Sequence, residues 1–541
     1  MKQRSKWSCS LIGLLALIAL VAAACGSGDA DTEAAVAGTS TDAESDDAAA
    51  DDDDSDDGGD DDSGADTTVV DSTDDSDAAD DEAAAGDGDT DGDGLLSDEE
   101  QIAYLTAGVE GDEWGVSDDN VLRGPAGYSI DLNACPSGWS DTGGVTDSEV
   151  VLGVSTSVSG TLASYGLISA GQTNYYDYVN SEGGVGGRDI RLVIKDDAYE
   201  PARTISNVQE LMERDDVFAF SSTLGTPNNL AVYDAINEAC VPHLSIASGH
   251  PAWGDPEYHP WTTGTILPYN SEALLWGAYI AENYPDGASV AALVINNDAG
   301  VAWRTTFEQF AAENPDVITD FSFENHEASA PNVTNEMTTL AGSNADVMIA
   351  MTGTIYCTQA MQDVAKAAWD PTDKILTGVC SSITSYFEPA GEAAEGWILI
   401  GSLKDLADQR FAEDEFVMLA RETIEAGGLD PDNGMYGTGW NYAWVVERNM
   451  QIADALPGGL TRTNLMLAHR SMRTKNPMVL DEITFELNGN DDGHVVEGGQ
   501  FLRYVLPDGE SVGTMEPFGD VFDVNGTTAN CTFGEAPEGQ C

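Results

Sequence analysis

Basic residues are scarce in this chain and unevenly placed. The 541 residues include 21 Lys and Arg against 96 Asp and Glu, and no Lys or Arg lies between Asp29 and Glu100. After residue 100 the balance is still 65 acidic to 18 basic residues. A surface with this charge repels phosphate backbones and anionic headgroups, which argues against nucleic acid or anionic lipid as a partner.

The sequence also lacks the patterns of metal, thiol and nucleophile chemistry. It contains no Cys-x-x-Cys, and its six His residues show neither H-E-x-x-H nor another metal-ligand spacing. Zinc binding and thiol exchange are therefore disfavoured. Residues 509–513 (GESVG) match the G-x-S-x-G consensus of a nucleophile elbow. That motif requires a His later in the chain, and none follows His494. The glycines at 183–187 precede a strand instead of opening a helix, so they are no dinucleotide fingerprint. We expect no enzymatic activity.

The N-terminus is typical of an export signal. Three basic residues within the first six precede an apolar run at 11–21, which is too short for a comfortable membrane span. The segment 22–25 (AAAC) has the form of a lipobox, so we predict a lipoprotein signal peptide at 1–24 and acylation of Cys25. The alternative is an ordinary secretory signal cut near Ala24. Lipid on Cys25 would anchor the protein at the extracytoplasmic face of the cell membrane, at the cell surface or in the periplasm.

Residues 25–88 form a low-complexity linker of Asp, Ala, Ser, Gly and Thr. Such a segment has almost nothing to bury, so it cannot offset the entropy of ordering and should stay disordered and extended. We interpret it as a tether between the anchor and the folded part. Binding of calcium or of a wall polymer by its Asp run is the alternative.

Residues 89–100 (DTDGDGLLSDEE) match the calcium-loop pattern D-x-D-x-D-G-x5-E. Such loops supply oxygen ligands at alternate positions and a closing Glu, with Gly at the sharp turn. The candidate ligands are Asp89, Asp91, Asp93, Leu95, Ser97 and Glu100. An Asp- and Gly-rich linker also produces such matches by chance, and a frame starting at Asp87 partly fits. Bound calcium would stiffen the junction between the tether and the folded domain, within the extension at 89–145, and no other cofactor is expected.

Six cysteines remain outside the signal peptide and Cys25. We predict a Cys357–Cys380 disulfide, because both residues should follow neighbouring strands, and a Cys531–Cys541 disulfide, which closes a short loop in the tail. Cys135–Cys240 is then the remaining pair. Disulfides fit an oxidising compartment outside the cytoplasm.

From residue 149 short apolar strands alternate with amphipathic helices, which is typical of parallel sheets covered by helices. The predicted strands are 150–155, 190–196, 217–221, 243–246, 290–296, 317–323, 347–352, 375–378, 397–401, 483–487 and 501–505. The predicted helices are 167–179, 204–213, 271–282, 303–313, 334–340, 359–367, 416–426 and 439–455. The family resemblance described below implies a division into lobe 1 at 146–267, lobe 2 at 268–400, a return to lobe 1 at 401–478, strands closing lobe 2 and the hinge at 479–510, and a C-terminal tail at 511–541.

The segment after the strand at 217–221 predicts an anion seat. Thr226 is a good helix N-cap and Pro227 suits the first helical position. The free N–H groups of a helix N-terminus bind carboxylates, and ligands of open α/β sheets bind at this end of the strands.

Four segments together resemble the type I substrate-binding proteins of ABC importers, in the branch that handles branched-chain amino acids and related polar ligands. They are 160–166 (GTLASYG), 183–201 (GGVGGRDIRLVIKDDAYEP), 224–231 (LGTPNNLA) and 240–249 (CVPHLSIASG). The resemblance extends over roughly 146–505 and rests on the order and spacing of these segments. It implies an α/β Venus-flytrap fold of two lobes with parallel sheets, joined by a hinge of about three crossovers.

The resemblance places the ligand contacts in loops at the carboxyl ends of the strands. In lobe 1 the candidates are Ser159, Tyr165, Gly225, Thr226, Ala247, Ser248 and Gly249. At comparable positions in lobe 2 the candidates are Tyr269, Asp298, Thr354, Tyr356 and Ser381. Each has a purely structural alternative as a turn residue, a helix cap or a packed aromatic.

One departure from the family concerns the ammonium group of an amino-acid ligand. Amino-acid binders of the family place a carboxylate in the loop after the strand at 375–378, whereas residues 378–382 here read GVCSS. Asp298 could substitute, but Ala299 stands where an aromatic or polar residue is expected. A branched-chain amino acid is therefore one candidate ligand beside an amide, a urea-like molecule and a small carboxylate.

The resemblance implies a lipid-anchored solute receptor that delivers its ligand to a membrane permease driven by a separate ATPase. A ligand-sensing receptor of the same fold, regulating a membrane partner, is the first alternative. The second is a calcium-dependent surface adhesin, which a dry and filled cleft between the lobes would favour.

Overall fold

The computed structural model describes residues 94–524. Several predictions lie outside those residues: the signal peptide at 1–24, Cys25, the linker at 25–88, the calcium ligands Asp89, Asp91 and Asp93, and the Cys531–Cys541 pair. Within the described range, no helix combines the length and apolar character needed to cross a membrane.

The extension before lobe 1 packs onto that lobe as an added layer. It consists of α1 (Asp98–Glu110) and a small antiparallel sheet of β1 (Gly115–Val116), β2 (Val121–Arg123) and β3 (Ser129–Asp131). The buried Arg448 of lobe 1 donates a hydrogen bond to Gln101 Oε1 over 2.8 Å. Leu105 packs against Ile452 and Leu467 of the same lobe. The extension is therefore held by both apolar and polar contacts.

The described part of the calcium-loop candidate forms a helix cap. Glu100 Oε2 accepts hydrogen bonds from the backbone N–H of Ser97 over 3.0 Å and from its hydroxyl over 2.7 Å. The Glu100 N–H donates back to Ser97 Oγ, which completes a capping box at the start of α1. Calcium binding stays a prediction, because three of the candidate ligands precede the described residues.

Lobe 1 contains a five-stranded parallel sheet in the order β5-β4-β6-β7-β8. Its strands are β4 (Glu149–Thr156), β5 (Asp189–Asp196), β6 (Ala219–Ser221), β7 (His243–Ile246) and β8 (Thr262–Gly264). Its first helices are α2 (Gly166–Ser181), α3 (Pro201–Glu213), α4 (Thr226–Leu230) and α5 (Tyr233–Glu238). All residues of β4 after the first are buried, as expected for an interior strand of a parallel sheet with helices on both faces.

Lobe 2 contains a larger sheet in the order β10-β9-β11-β12-β13-β16-β17, with β18 also paired to β16. The strands are β9 (Ala288–Ile295), β10 (Ile318–His326), β11 (Val347–Met351), β12 (Asp373–Leu376), β13 (Ile398–Gly401), β16 (Gly498–Val505), β17 (Thr514–Pro517) and β18 (Phe522–Asp523). The helices are α6 (Tyr269–Asn283), α7 (Asp298–Glu313), α8 (Thr334–Ala341) and α9 (Ile355–Lys366), with a short turn of helix at Glu388–Ala390. The predicted tail at 511–541 is wrong up to residue 524, since β17 and β18 extend this sheet.

The chain returns to lobe 1 for longer than predicted. The returning elements are α10 (Glu415–Ala426), α11 (Gly434–Ala455), α12 (Arg462–His469), β14 (Arg473–Thr474) and β15 (Phe485–Glu486). The predicted strand at 483–487 does not close lobe 2, because β15 pairs with β14 and its flanking apolar residues lie in the lobe 1 core. The alternation of Ile483, Phe485 and Leu487 specifies a strand with one buried face, but it carries no information about which sheet covers that face.

Three segments cross between the lobes: one between β8 and α6, one after β13, and one before β16. In the second crossing, the Lys404 N–H donates to Met478 O over 2.8 Å. Leu403 also forms a bridge with Val479. Apolar side chains of lobe 1, including Ile168 and Met435, pack into the same cluster as the lobe 2 core, so the lobes are in contact across the cleft.

The two disulfides within the described residues confirm two predicted pairs. Cys135–Cys240 joins the extension to lobe 1 across 105 residues, and Cys357–Cys380 joins the start of α9 to the loop after β12 across 23 residues. Closing loops of these lengths stabilises the fold by about 3 to 5 kcal/mol each in the chain-entropy model. The second disulfide also fixes the loop that carries Ser381 and Ser382.

The buried carboxyl group of Asp492 makes lobe 1 sensitive to alkaline pH. Burial, reinforced by the nearby charge of Glu497, raises the pKa of Asp492 to about 8. Between its ordinary pKa and 8 the folded chain keeps a proton that the unfolded chain has lost, so stability falls as the pH rises. We expect this group to lower the free energy of unfolding by about 2 kcal/mol between roughly pH 6.5 and pH 8. Buried His residues, with pKa values lowered to about 3 or 4, act in the opposite direction near pH 6.5, because the unfolded chain loses its imidazole protons there, so Asp492 is isolated by comparing variants.

Thermal unfolding of the Asp492→Asn variant across this pH range checks the expectation. Its melting temperature should decline less steeply than that of the unmodified chain. Asp491→Asn is the matched control, because the side chain next to Asp492 is exposed. Parallel pH profiles for the two variants would contradict the assignment.

Candidate functional site

A cavity of about 120 Å³ lies between the two lobes. All three crossing segments contribute to its wall, through Ile266 and Leu267, through residues 402–405, and through Gly498. An apolar cavity of roughly 150 Å³ holds a molecule of benzene. A small solute therefore fits between the lobes, against the hinge.

The lobe 1 side of the cavity is formed at the start of α4. Gly225 is the N-cap, with φ of 93°, and Thr226 is the first helical residue. The predicted N-cap is therefore wrong by one residue. The hydroxyl of Thr226 instead lies 2.7 Å from the hydroxyl of Ser248. Gly225 is required here by its left-handed conformation and because a Cβ would lie 2.6 Å from the ring of Tyr199.

Four tyrosines, Tyr165, Tyr199, Tyr269 and Tyr442, converge on the cavity. Burial raises the pKa of each phenol, for Tyr269 to about 12, so all four are neutral at physiological pH. Within the described residues, the hydroxyls of Tyr165 and Tyr442 have no hydrogen-bond partner. Each can donate to or accept from a ligand in the cavity.

Two acidic side chains also line the cavity, the buried Glu272 and the half-buried Asp405. Glu272 Oε1 accepts the Gly378 N–H over 2.6 Å, and its Oε2 accepts the indole N–H of Trp303 over 2.8 Å. Asp405 Oδ1 accepts the N–H of Ala407 over 2.8 Å. Its Oδ2 accepts a longer bond of 3.3 Å from Ile383 N–H. Burial raises the pKa of both carboxyl groups to about 7.

Sequence reasoning missed both acids. Glu272 lies in the first turn of a helix whose sequence is otherwise largely apolar, and that isolated acid at a lobe crossing was the available signal. Asp405 lies in a crossing segment with no periodic pattern, so no signal marked it. Met435 and Thr438 were missed because α11 begins at Gly434 instead of the predicted residue 439. Tyr442 lies inside the predicted helix and was missed because nothing marked the face of that helix that meets the cavity.

Six of the twelve predicted contacts line the cavity: Tyr165, Gly225, Thr226, Ala247, Tyr269 and Ser381. They come from both lobes, so the structure brings together residues far apart in the chain. Their role as ligand contacts stays a prediction.

The other six lie outside the cavity wall: Ser159, Ser248, Gly249, Asp298, Thr354 and Tyr356. The Ser159 hydroxyl donates to Asp196 Oδ2 over 2.5 Å, and the Tyr356 hydroxyl donates to Ala328 O over 2.9 Å. Gly249 lies beneath the ring of Tyr269, where a Cβ would come within 2.6 Å of it. The hydroxyl of Ser248 lies 2.7 Å from the hydroxyl of Thr226 and helps to position it. Ser159, Ser248, Gly249 and Tyr356 therefore stabilise the wall or the neighbouring loops.

A second, smaller cavity of about 30 Å³ adjoins the first. It lies between Tyr165 and Tyr199 of lobe 1 and Ala299 and Gly353 of lobe 2. The small side chain of Ala299 leaves this space open. A substituent of a ligand, or one water molecule, fits there.

Comparison with known proteins agrees with this geometry. Residues 149–510 match the family model described as periplasmic binding protein. Among curated proteins, Leu/Ile/Val-binding protein homolog 2 of Brucella abortus (strain 2308) is 27% identical over 150 residues. That alignment covers 27% of this chain and 39% of the relative, well under two thirds of its length.

Solved structures show the same two-lobed architecture. A fatty acid ABC transporter substrate-binding protein from Thermomonospora curvata is 19% identical, with a TM-score of 0.61 over 72% of this chain and 97% of that one. A branched chain amino acid ABC transporter from Thermus thermophilus with bound valine is 18% identical, with a TM-score of 0.61 over 70% and 98%. A solute binding protein of an ABC transporter from Rhodopseudomonas palustris BisB5, in complex with 3,4-dihydroxy benzoic acid, is 18% identical, with a TM-score of 0.58 over 70% and 98%. The predicted fold class is confirmed.

Proposed function

This chain belongs to the periplasmic binding protein family, and from that premise we propose that it is the extracytoplasmic substrate-binding protein of an ABC transporter. It captures an amino acid or a related small polar solute between its lobes and delivers it to a membrane permease. Similar structures carry ligands as different as valine and 3,4-dihydroxy benzoic acid, so the fold alone leaves the ligand class open.

The observation that carries the proposal is a cavity walled by both lobes, with a buried hydroxyl that has no partner among the described residues. The hydroxyl of Ser382 is buried and has no hydrogen-bond partner among the described residues, and the phenol of Tyr442 lines the same cavity. Leaving a buried polar group unpaired costs about 1 to 3 kcal/mol, and a bound solute removes that cost. A cleft that holds such a cavity favours a receptor over a scaffold for adhesion.

Closure of the lobes links ligand binding to delivery. Ligand contacts from both lobes stabilise the closed arrangement, so the affinity for the solute and the shape presented to the permease share one equilibrium. In this proposal a lipid on Cys25 holds the receptor at the membrane, and the acidic segment at 25–88 is the tether that lets it reach the permease.

A thermal-shift screen of the full-length chain in detergent tests the proposal. The panel contains amino acids, amides, urea, polyols and small carboxylates, applied after unfolding and refolding to remove any bound solute. A ligand present at 100 times its Kd adds about 2.7 kcal/mol to the free energy of unfolding, which gives a clear shift in melting temperature. We expect one chemical class to produce it.

The control is the Tyr442→Ala variant, which removes one cavity-facing phenol. Its shift with the same ligand should be smaller, whereas a ligand that binds elsewhere would shift both proteins equally. Absence of any shift across the panel would contradict the proposal.

A further inference from the structure

The cavity wall contains more acidic than basic side chains. Glu272 and Asp405 are its two acidic residues, and Lys404 is its one basic residue. The Lys404 ammonium is already paired, with Asp414 at 2.9 Å and Asp481 at 2.7 Å. Among the described residues of the wall, no cationic side chain is thus available to compensate the two carboxyl groups.

The two acids are not equivalent. Both oxygens of Glu272 accept short hydrogen bonds, one from the Gly378 N–H over 2.6 Å and one from the Trp303 indole N–H over 2.8 Å. Asp405 Oδ2 has a single bond of 3.3 Å, and a carboxylate oxygen can accept two. Asp405 therefore has the larger remaining capacity to bind a donor in the cavity.

The surroundings of Asp405 also point to a ligand. The hydroxyl of Ser382 is buried, lines the same cavity and has no partner. Gly434 lies against both groups, since a Cβ there would come within 2.3 Å of Asp405 Oδ2 and 2.9 Å of Ser382 Oγ. A carboxyl oxygen and an unpaired hydroxyl thus lie close together at the hinge end of the cavity. A side chain at position 434 would collide with both of them.

We propose that Asp405 is the binding site for a positively charged nitrogen group of the solute, with Ser382 as a second acceptor. This inference rests on the proposed function and gives it a ligand class: amines and zwitterionic amino acids bind, and carboxylates without a nitrogen do not. A cation beside Asp405 supplies the charge compensation that the protein lacks.

Ionisation of Asp405 makes this binding depend on pH. Burial raises its pKa to about 7, and the charges of Asp408 and Asp432 add to the shift. Asp408 pairs with Arg410 at 2.7 Å and Asp432 with Arg421 at 2.6 Å, so both neighbours hold their own cations. An ammonium group binds the ionised carboxylate, so affinity should rise by about tenfold from pH 6 to pH 8, and binding near pH 6 should release a proton.

Matched ligands on the unmodified full-length chain test the inference by titration calorimetry. One set is leucine, 3-methylbutylamine and 4-methylpentanoate; the other is phenylalanine, 2-phenylethylamine and 3-phenylpropanoate. Within the set that fits the cavity, we expect the nitrogen-containing members to bind about 30-fold more tightly than the carboxylate, as for a charge-assisted hydrogen bond. Their affinity should increase between pH 6 and pH 8.

The Asp405→Asn variant should lose about 30-fold in affinity for the nitrogen-containing ligand and should lose the pH dependence. Glu413→Gln, which removes an exposed charge outside the cavity wall, is the matched control and should keep both. A carboxylate that binds as tightly as the amine, or an unchanged pH profile in Asp405→Asn, would overturn the assignment while leaving the receptor function in place. If no member of either set binds and the wider solute panel is also silent, both the assignment and the receptor function fail.

Discussion

Replacing Gly439 by alanine should lower the free energy of unfolding by about 3 kcal/mol, at the upper end of the usual cost of overpacking. Gly439 of α11 and Gly171 of α2 lie where the two helices cross with their backbones in contact. A Cβ at Gly439 would come within 2.2 Å of the carbonyl oxygen of Ile168. Backbone atoms cannot rotate away as a side chain can, so the helices must separate.

Separation of these helices should also weaken ligand binding. α2 begins beside Tyr165 and carries Ile168, and α11 carries Thr438 and Tyr442, all of which line the cavity. Denaturant unfolding and solute titration of Gly439→Ala check the two effects. Gly342→Ala is the control, because Gly342 is exposed, has a helical φ of −66° and would place its Cβ 3.1 Å from the nearest atom. Equal stability of the two variants would contradict the argument.

Replacing Gly353 by alanine should weaken solute binding by about 30-fold while leaving the ligand-free fold almost unchanged. Gly353 belongs to lobe 2, and a Cβ there would come within 2.3 Å of the hydroxyl of Tyr165, which belongs to lobe 1. The next nearest atoms are at 3.5 Å or more, which is ordinary contact. The clash therefore arises only when the lobes close. Its energetic cost destabilises the closed form and so weakens the observed affinity for the solute.

A double-mutant cycle with Tyr165→Phe isolates this contact. The phenylalanine lacks the oxygen that would clash, so Gly353→Ala in that background should cost little further affinity. Small-angle scattering should show a larger radius of gyration for Gly353→Ala in the presence of solute than for the unmodified chain. Additive losses in the cycle would contradict a steric block to closure.

Much of the fold could be predicted because its signals are local. The strands that became β4, β5, β7, β9 and β11 are long or strongly apolar, and their helices have clear amphipathic patterns, so the order of elements is legible. The short strands at 514–517 and 522–523 were missed because two to four residues carry no period. The sheet joined by β15 was wrongly predicted, because alternation fixes the buried face but not the partner strand.

The candidate site was half predicted for a related reason. Loops at the carboxyl ends of strands gave Tyr165, Thr226 and Ala247, which line the cavity. Asp405 and Glu272 escaped notice because their importance comes from burial and from what lies across the cleft. Neither property can be inferred from the residues next to them in the sequence.

By itself the sequence determined the α/β class, the order of strands and helices and the acidic character of the chain, since each follows from local pattern or composition. The two-lobed arrangement was implied by the family resemblance, and two disulfide pairs followed from expected strand neighbours and from exclusion. Tertiary structure alone decided where lobe 1 ends, how the extension packs and which acids face the cavity. The physical reason is that hydrophobic periodicity shows only whether one face of an element is buried. A binding site depends on which residues, distant in the chain, line the same cavity. The crossings between the lobes determine how close those residues come to one another.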